Sequence, residues 1–187
     1  MVYEISWSTE PGNGYKGERM RDLRESEIEV RVASENDKGA SFLLYKTARV
    51  DAMMLDEEFG KLGWTNRYYR DEKGTLVCII GVYNDQGWLV ERSNAGIESQ
   101  QPDDNKYKAE YSDAMKRCGF LWGIGSELYT APFIWVSKDK YKTRAVNGKE
   151  RFADKFRVEK IAVENKRITG LSIKNSANER VFVWKES

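Results

Sequence analysis

Apolar and polar positions alternate along much of this chain. In "EIEVRVAS" (27–34) Ile28, Val30 and Val32 share one face of an extended strand, and Glu27, Glu29 and Arg31 share the other. That spacing predicts a half-buried strand with Arg31 turned away from the apolar side. The turn residues "ENDKG" follow, and "ASFLLY" (40–45) predicts a second strand. The period then becomes helical through "ARVDAMMLDEEFGKLGW", where Val50, Met53, Met54 and Phe59 recur at helix spacing. Thr47 stands at its N-cap and Gly60 or Gly63 at its end. Three strand-like runs come next, "WTNRYYRDE", "TLVCIIGVYN" and "GWLVERSNAG". Turn residues at Glu72-Lys73-Gly74 and Asp85-Gln86-Gly87 separate them, so they predict an antiparallel meander.

After the polar loop "GIESQQPDDN" a helical pattern returns. On a wheel of 100° per residue for 107–122, the residues Tyr107, Tyr111, Ala114, Cys118, Leu121 and Trp122 gather on one side, with Met115 at its edge. This is the face expected to pack on the meander. Lys116 points nearly opposite, Arg117 lies on one flank, and Lys108 and Ser112 border the other. A helix packed in this way displays Lys108, Lys116, Arg117 and the neighbouring Phe120 outward. Cations at a helix C-terminus are also favoured by the macrodipole alone.

The segment "SKDKYKTRAVNGKERFADKFR" carries eight Lys or Arg residues against three acids, with a turn expected at Asn147-Gly148. The alternating runs "FRVEKIAV", "ITGLSIKN" and "RVFVWK" then predict a second small β-meander, joined at Glu164-Asn165-Lys166 and Ser176-Ala177-Asn178. At the other end, 1–17 reads as an irregular arm and "GERMRDLRESE" (17–27) as a short helix packing Met20 and Leu23. Trp64, Trp88, Trp122 and Trp184 are read as core residues. No repeat, linker or low-complexity tract divides the 187 residues, so the expectation is one α+β domain.

Composition narrows the chemistry. With 40% hydrophobic and 33% charged residues the chain has the makeup of a soluble globular protein. It contains no histidine, which removes imidazole general bases, Ser-His and Cys-His nucleophile pairs and the commonest metal ligand. Cys78 and Cys118 form no Cys-x-x-Cys pair and suit buried free thiols in a reduced cytoplasm. Neither a signal peptide nor a membrane-spanning run is legible. The formal net charge is only +1, so any basic binding site must be local.

The glycine-rich stretch "GFLWGIG" (119–125) fits the Gly-x-x-x-Gly-x-Gly pattern of short-chain dehydrogenases. Such a loop has to follow a strand and open a helix, so that a pyrophosphate meets a helix N-terminus. Here it follows the helical "AEYSDAMKRC", and the Tyr-x-x-x-Lys match, Tyr69 to Lys73, lies earlier in the chain. A Gly-x-x-x-x-Gly-Lys-Ser/Thr phosphate loop is absent. A nucleotide site and ATP-driven chemistry are therefore not expected, and no cofactor is.

Taken in order, the pieces resemble a known family. Tyr45 followed by Arg49-Val50, a helix ending Phe59-Gly60-x-x-Gly63-Trp64, the β-β-β-α order, and Ser112-Asp113-x-x-Lys116-Arg117 closing on Gly119 are similar to the single-strand annealing proteins of the Rad-fifty-two superfamily. The "WGIG…LY" run from Trp122 to Tyr129 is similar to its phage Sak-type branch. The likeness covers 27–135, and the last fifty residues resemble the C-terminal hairpins of phage members less specifically. It implies an α+β fold with a β-β-β-α core, a further strand near the N-terminus and a small C-terminal meander, assembled into a homo-oligomeric ring. It also implies a non-enzymatic, ATP-independent protein. Such a protein binds single-stranded DNA in a positive groove and anneals complementary strands in recombination and double-strand break repair, in the cytoplasm of a bacterial host if phage-encoded. Partners implied are single-stranded DNA, further copies of the chain, and a single-strand binding protein or exonuclease.

Carried over residue by residue, the resemblance places Arg31, Tyr45, Lys108, Lys116 and Arg117 at DNA-binding positions. Where animal members add an arginine one turn beyond the Lys-Arg pair, this chain has Phe120, which either stacks on a base or marks a local change in the groove. The basic segment 138–157 (Lys138, Lys140, Lys142, Arg144, Lys149, Arg151) reads equally as a solvated loop or a secondary DNA contact. Two other readings stay open: a structural homo-oligomer or partner-binding module without DNA affinity, and a Mg²⁺-dependent nuclease using Glu164-Asn165-Lys166 or Asp103-Asp104.

Overall fold

Residues Glu29–Asn36 (β1) and Gly39–Tyr45 (β2) form the antiparallel hairpin expected from their alternation. Phe42 and Leu44 turn into the core while Leu43 and Tyr45 face out. The apolar stripe of β1 fades along the strand. Ile28, just before it, is buried, but Val32, beside a register shift between Val32 and Ser34, is exposed. Thr47 is the N-cap of α1 (Ala48–Phe59), without a side-chain capping bond, and Gly60 at φ 73° ends the helix. The meander is as expected: β3 (Trp64–Arg70), β4 (Leu76–Tyr83) and β5 (Leu89–Ala95) pair antiparallel in chain order. Helix α2 (Asp103–Leu121) lies across it on β4 and β5.

The structure is a computed structural model that describes residues 20–84, 86–87, 89–97 and 103–186, without the side chains of 103–105. Expectations for the N-terminal arm, Trp88, the side chains of the Asp103-Asp104 pair and residues 98–102 of the expected 96–105 loop fall outside the described residues, while 103–105 belong to α2 and not to the loop.

The C-terminal runs do form a meander, of β9 (Arg157–Glu164), β10 (Arg167–Lys174) and β11 (Arg180–Lys185). It is not a separate sheet, however. Glu29 of β1 pairs with Arg157 of β9, and β2 pairs with β6 (Ile134–Ser137), giving one six-stranded sheet in the order β11-β10-β9-β1-β2-β6. Its outer strands β6 and β11 approach each other, so the sheet is strongly curled. Phe42, Ile134, Val136, Val158, Leu171, Ile173 and Val181 fill its concave side in one core continuous with that of the α2 meander. Each such side chain contributes about 1.5–3 kcal/mol on burial.

The basic segment is a hairpin and not a loop. β7 (Thr143–Val146) and β8 (Lys149–Phe152) pair around Asn147 and Gly148, both at positive φ (51° and 73°). Phe152 anchors it, with its ring centroid 5.2 Å from Phe42, 5.0 Å from Tyr141 and 5.1 Å from Phe156.

The helix expected over 17–27 is also replaced. Only Glu25–Glu27 makes a 3₁₀ turn, although Met20 and Leu23 are buried as expected. Tertiary partners claim the backbone of this segment: the Leu23 N–H donates to the Glu127 carboxylate at 2.7 Å, and the Arg21 carbonyl accepts from Lys166 Nζ at 2.9 Å. Glu27 in turn binds the Arg21 guanidinium and the Arg24 N–H, each at 2.8 Å.

Candidate nucleic-acid interface

The candidate site begins with strand alternation at the end of β2. Tyr45 points out, so Lys46 points in, where only 7% of it is exposed. An ammonium buried so deeply needs a counter-charge. Asp51, in the first turn of α1 and fully buried, supplies it through a short ion pair. Burial pushes the Asp51 carboxyl up to about 6 and the Lys46 ammonium below its usual value, since desolvation outweighs their mutual attraction in both. Lys46 Nζ also donates to the backbone carbonyl of Lys116 at 3.3 Å, tying the pair to α2.

This pair accounts for the glycine-rich stretch. A Cβ at Gly119 would lie 2.0 Å from Asp51 Oδ1, and one at Gly125 would lie 2.7 Å from Lys46 Cδ. The glycines let the chain pass close around a buried ion pair. Between them Gly123, at φ +85°, closes α2: its N–H donates to the Phe120 carbonyl (2.9 Å) and the Ile124 N–H to the Gly119 carbonyl (3.1 Å). That bond pattern is a Schellman helix end, with Ile124 buried beyond it. "GFLWGIG" therefore terminates a helix and opens none.

The wheel face is corrected in part. Ala114, Cys118 and Met115 are buried, but Tyr107 and Tyr111 are exposed and Leu121 is 36% exposed. α2 is gripped from two sides, by β4 and β5 and by α1, and the points of closest approach fall at small residues, Ala114 beneath Gly96 and Gly119 beside Asp51. Tyr111 instead lies on Tyr68 at the margin of the meander, centroids 4.7 Å apart. Trp122, like Trp64 and Trp184, is only half-buried, wedged between Phe59 (6.1 Å) and the Arg92 guanidinium (5.1 Å).

On the side of α2 facing β2, the curled sheet and the helix end enclose a cleft of about 320 Å³. Four residues singled out from the sequence line it together: Tyr45, Lys116, Arg117 and Phe120. Lys116 is thus not on a free outer face, because β2 covers part of it. Nor is Phe120 fully exposed: it rests on Tyr129, ring centroids 4.6 Å apart. Arg31 stands just outside the lining with its guanidinium 5.3 Å from the Tyr45 ring centroid, and Lys116 Nζ is 6.0 Å from the same centroid. Both lie within cation–π reach of that ring. Arg31 also bonds Glu29, through Nε at 2.8 Å. Lys108 is exposed on α2 two turns away and does not join the cleft.

Asp113 sets the charge balance of this cleft. Burial opposes its ionisation, but the Ile97 N–H (3.0 Å) and the Arg117 guanidinium (2.8 Å) outweigh burial and hold its carboxyl below the usual range. Lys116 Nζ is 3.8 Å from it. Two cations share one carboxylate, so one positive charge is left over. Sequence reading missed Lys46, Asp113, Leu43 and Tyr129 as lining residues. The available signal for Lys46 was a lysine at an inward strand position, five residues before an acid on a helix's apolar side.

Other candidates resolve as structure. Lys166 of the Glu164-Asn165-Lys166 turn is engaged by Asp22 (2.9 Å), the Arg21 carbonyl and, at 3.8 Å, Glu127. Among the described residues no group of three or more Cys, Asp or Glu side chains is placed to hold a metal ion. Cys78 and Cys118 are free and buried. Among the described residues no helix is long and apolar enough to cross a membrane. No family model, curated protein or solved structure matches the chain.

Proposed function

We propose that this protein binds single-stranded DNA in the cleft between β2 and α2 and anneals complementary strands in recombination and repair, without ATP, in the cytoplasm. One observation carries the reading: Tyr45, about seventy residues away in sequence, meets Lys116, Arg117 and Phe120 of α2 in one cleft, with Arg31 behind the tyrosine. Cations beside aromatic faces are what a phosphate backbone with unpaired bases requires. Neither group reads base edges, so a strand held there keeps its pairing edges available. One excess positive charge per chain is too little for a strand of useful length. The reading therefore includes a homo-oligomeric ring that repeats the cleft into a track. The test is annealing of two complementary fluorescent oligonucleotides, without ATP or metal, over a salt series. Acceleration that fades with salt is expected, and no acceleration at low salt by a folded oligomer would overturn the reading.

A further inference from the structure

Next to the cleft lies an aromatic surface that the cleft does not use. β6 pairs with β2 so that Trp135 stands opposite Ser41 and Ile134 opposite Phe42. Ile134 and Val136 turn into the core, which leaves Trp135, and Phe133 before the strand, on the outward face shared with Leu43 and Tyr45. Phe133 is 77% exposed and Tyr129 76% exposed. Phe133 and Trp135 are nearly parallel, at 17° with centroids 6.5 Å apart. The indole lies along β2, because a Cβ at Gly39 would meet its ring carbon at 2.9 Å. The surface joins the cleft through β2: Leu43, which lines the cleft, stands two residues beyond Ser41, the partner of Trp135, on the same outward face, and the exposed Tyr129 lines the cleft four residues before Phe133.

Resting on the single-strand reading of the cleft, we propose that Phe133 and Trp135 form a base-stacking platform, with Tyr129 at its junction with the cleft, onto which the strand passes from Lys116 and Arg117. The occupant is unpaired bases, for three reasons. The charged groups of the adjoining cleft, Arg31, Lys116 and Arg117 with Glu29 and Asp113 as their partners, leave a net positive charge suited to a phosphate backbone. Two rings held nearly parallel offer flat faces to flat partners, and every base has one. Strand addition by a second copy is disfavoured because the outer edge of β6 is approached by β11. Duplex bases are already stacked, so the ligand class is single-stranded nucleic acid. Stacking occupies base faces and leaves the pairing edges free for annealing.

The experiment compares fluorescence anisotropy of a labelled oligothymidylate with that of an abasic strand of equal length and charge. It uses wild type, Phe133→Ala/Trp135→Ala, the ring-preserving Phe133→Tyr/Trp135→Phe, and Lys116→Ala/Arg117→Ala. The alanine pair is expected to bind oligothymidylate about tenfold or more weakly. It is also expected to keep the wild-type salt dependence, to bind the abasic strand like wild type, and to be restored by the ring-preserving pair. Unchanged oligothymidylate affinity overturns the platform, and so does an equal loss on the abasic strand. Altered sedimentation with unaltered binding also overturns it, and marks the face as a contact between copies. If wild type itself binds neither strand, the reading of the cleft has failed, and the platform with it.

Discussion

Two regions of this molecule are basic, and they are built in opposite ways. The β7–β8 hairpin segment is the denser in charge, yet its cations are dispersed. Lys138 pairs with Glu150 at 2.7 Å, Arg151 with Glu35 at 2.6 Å, and Lys142 reaches Ser176 at 3.1 Å. Among the described residues none of these three cations lies over an aromatic ring. The end of α2 has only two adjacent cations, but a buried ion pair, a closing turn and two glycines aim them at a tyrosine and a phenylalanine across one cleft. Convergence, and not density along the chain, sets the α2 end apart from the hairpin.

The sharpest way to break the contrast is at its buried support. Asp51→Ala leaves Lys46 unpaired in the core and is expected to cost about 3–5 kcal/mol in urea denaturation. Glu150→Ala, at the exposed hairpin pair, is expected to leave the midpoint unchanged. If the two variants prove equally stable, the α2 end does not depend on its ion pair.

Next in size is binding. Lys116→Ala/Arg117→Ala is expected to lower single-strand affinity tenfold or more in an anisotropy assay, with circular dichroism and sedimentation unchanged. Arg144→Ala/Lys149→Ala in the hairpin is expected to stay within about twofold, as for cations outside a phosphate path. A larger loss from the hairpin pair would make that segment the true contact.

The smallest effect is a pH dependence. Between its unfolded value near 3.8 and its folded value of about 6, Asp51 holds a proton in the native state that the unfolded chain has released. The native state then binds more protons, so this group's contribution to stability falls as pH rises through that window. The stability of wild type relative to Asp51→Asn is expected to decline from pH 4 to pH 6.5. A difference that is flat or rises with pH would show that Asp51 is an ordinary ionised carboxylate.

What was legible in the sequence follows from the range of the forces. The hairpin of β1 and β2, α1, the three-strand meander and α2 carry their own periodicity and turns, and each appears where the pattern placed it. The 17–27 segment has a helical pattern too, but Glu127 and Lys166, more than a hundred residues on, claim its backbone groups. The single six-stranded sheet depends on Glu29 meeting Arg157, a pairing that no local period encodes. For the site, the wheel identified Lys116 and Arg117, whereas only the fold places Tyr45 beside them. Lys108 shares their helix yet lies outside the cleft. Gly119 and Gly125 stood out in the sequence as a motif, but the Lys46–Asp51 pair they accommodate is a tertiary contact.

The central claim is that the α2 end, and not the more basic hairpin, meets the phosphates. The most direct measurement is the slope of log binding constant against log salt concentration for a single-stranded oligonucleotide, in wild type and both double variants. Two lost phosphate contacts are expected to lessen the slope by roughly 1.4 for Lys116→Ala/Arg117→Ala and by nothing for Arg144→Ala/Lys149→Ala. An unchanged slope in the first variant, or a lessened one in the second, would contradict the account.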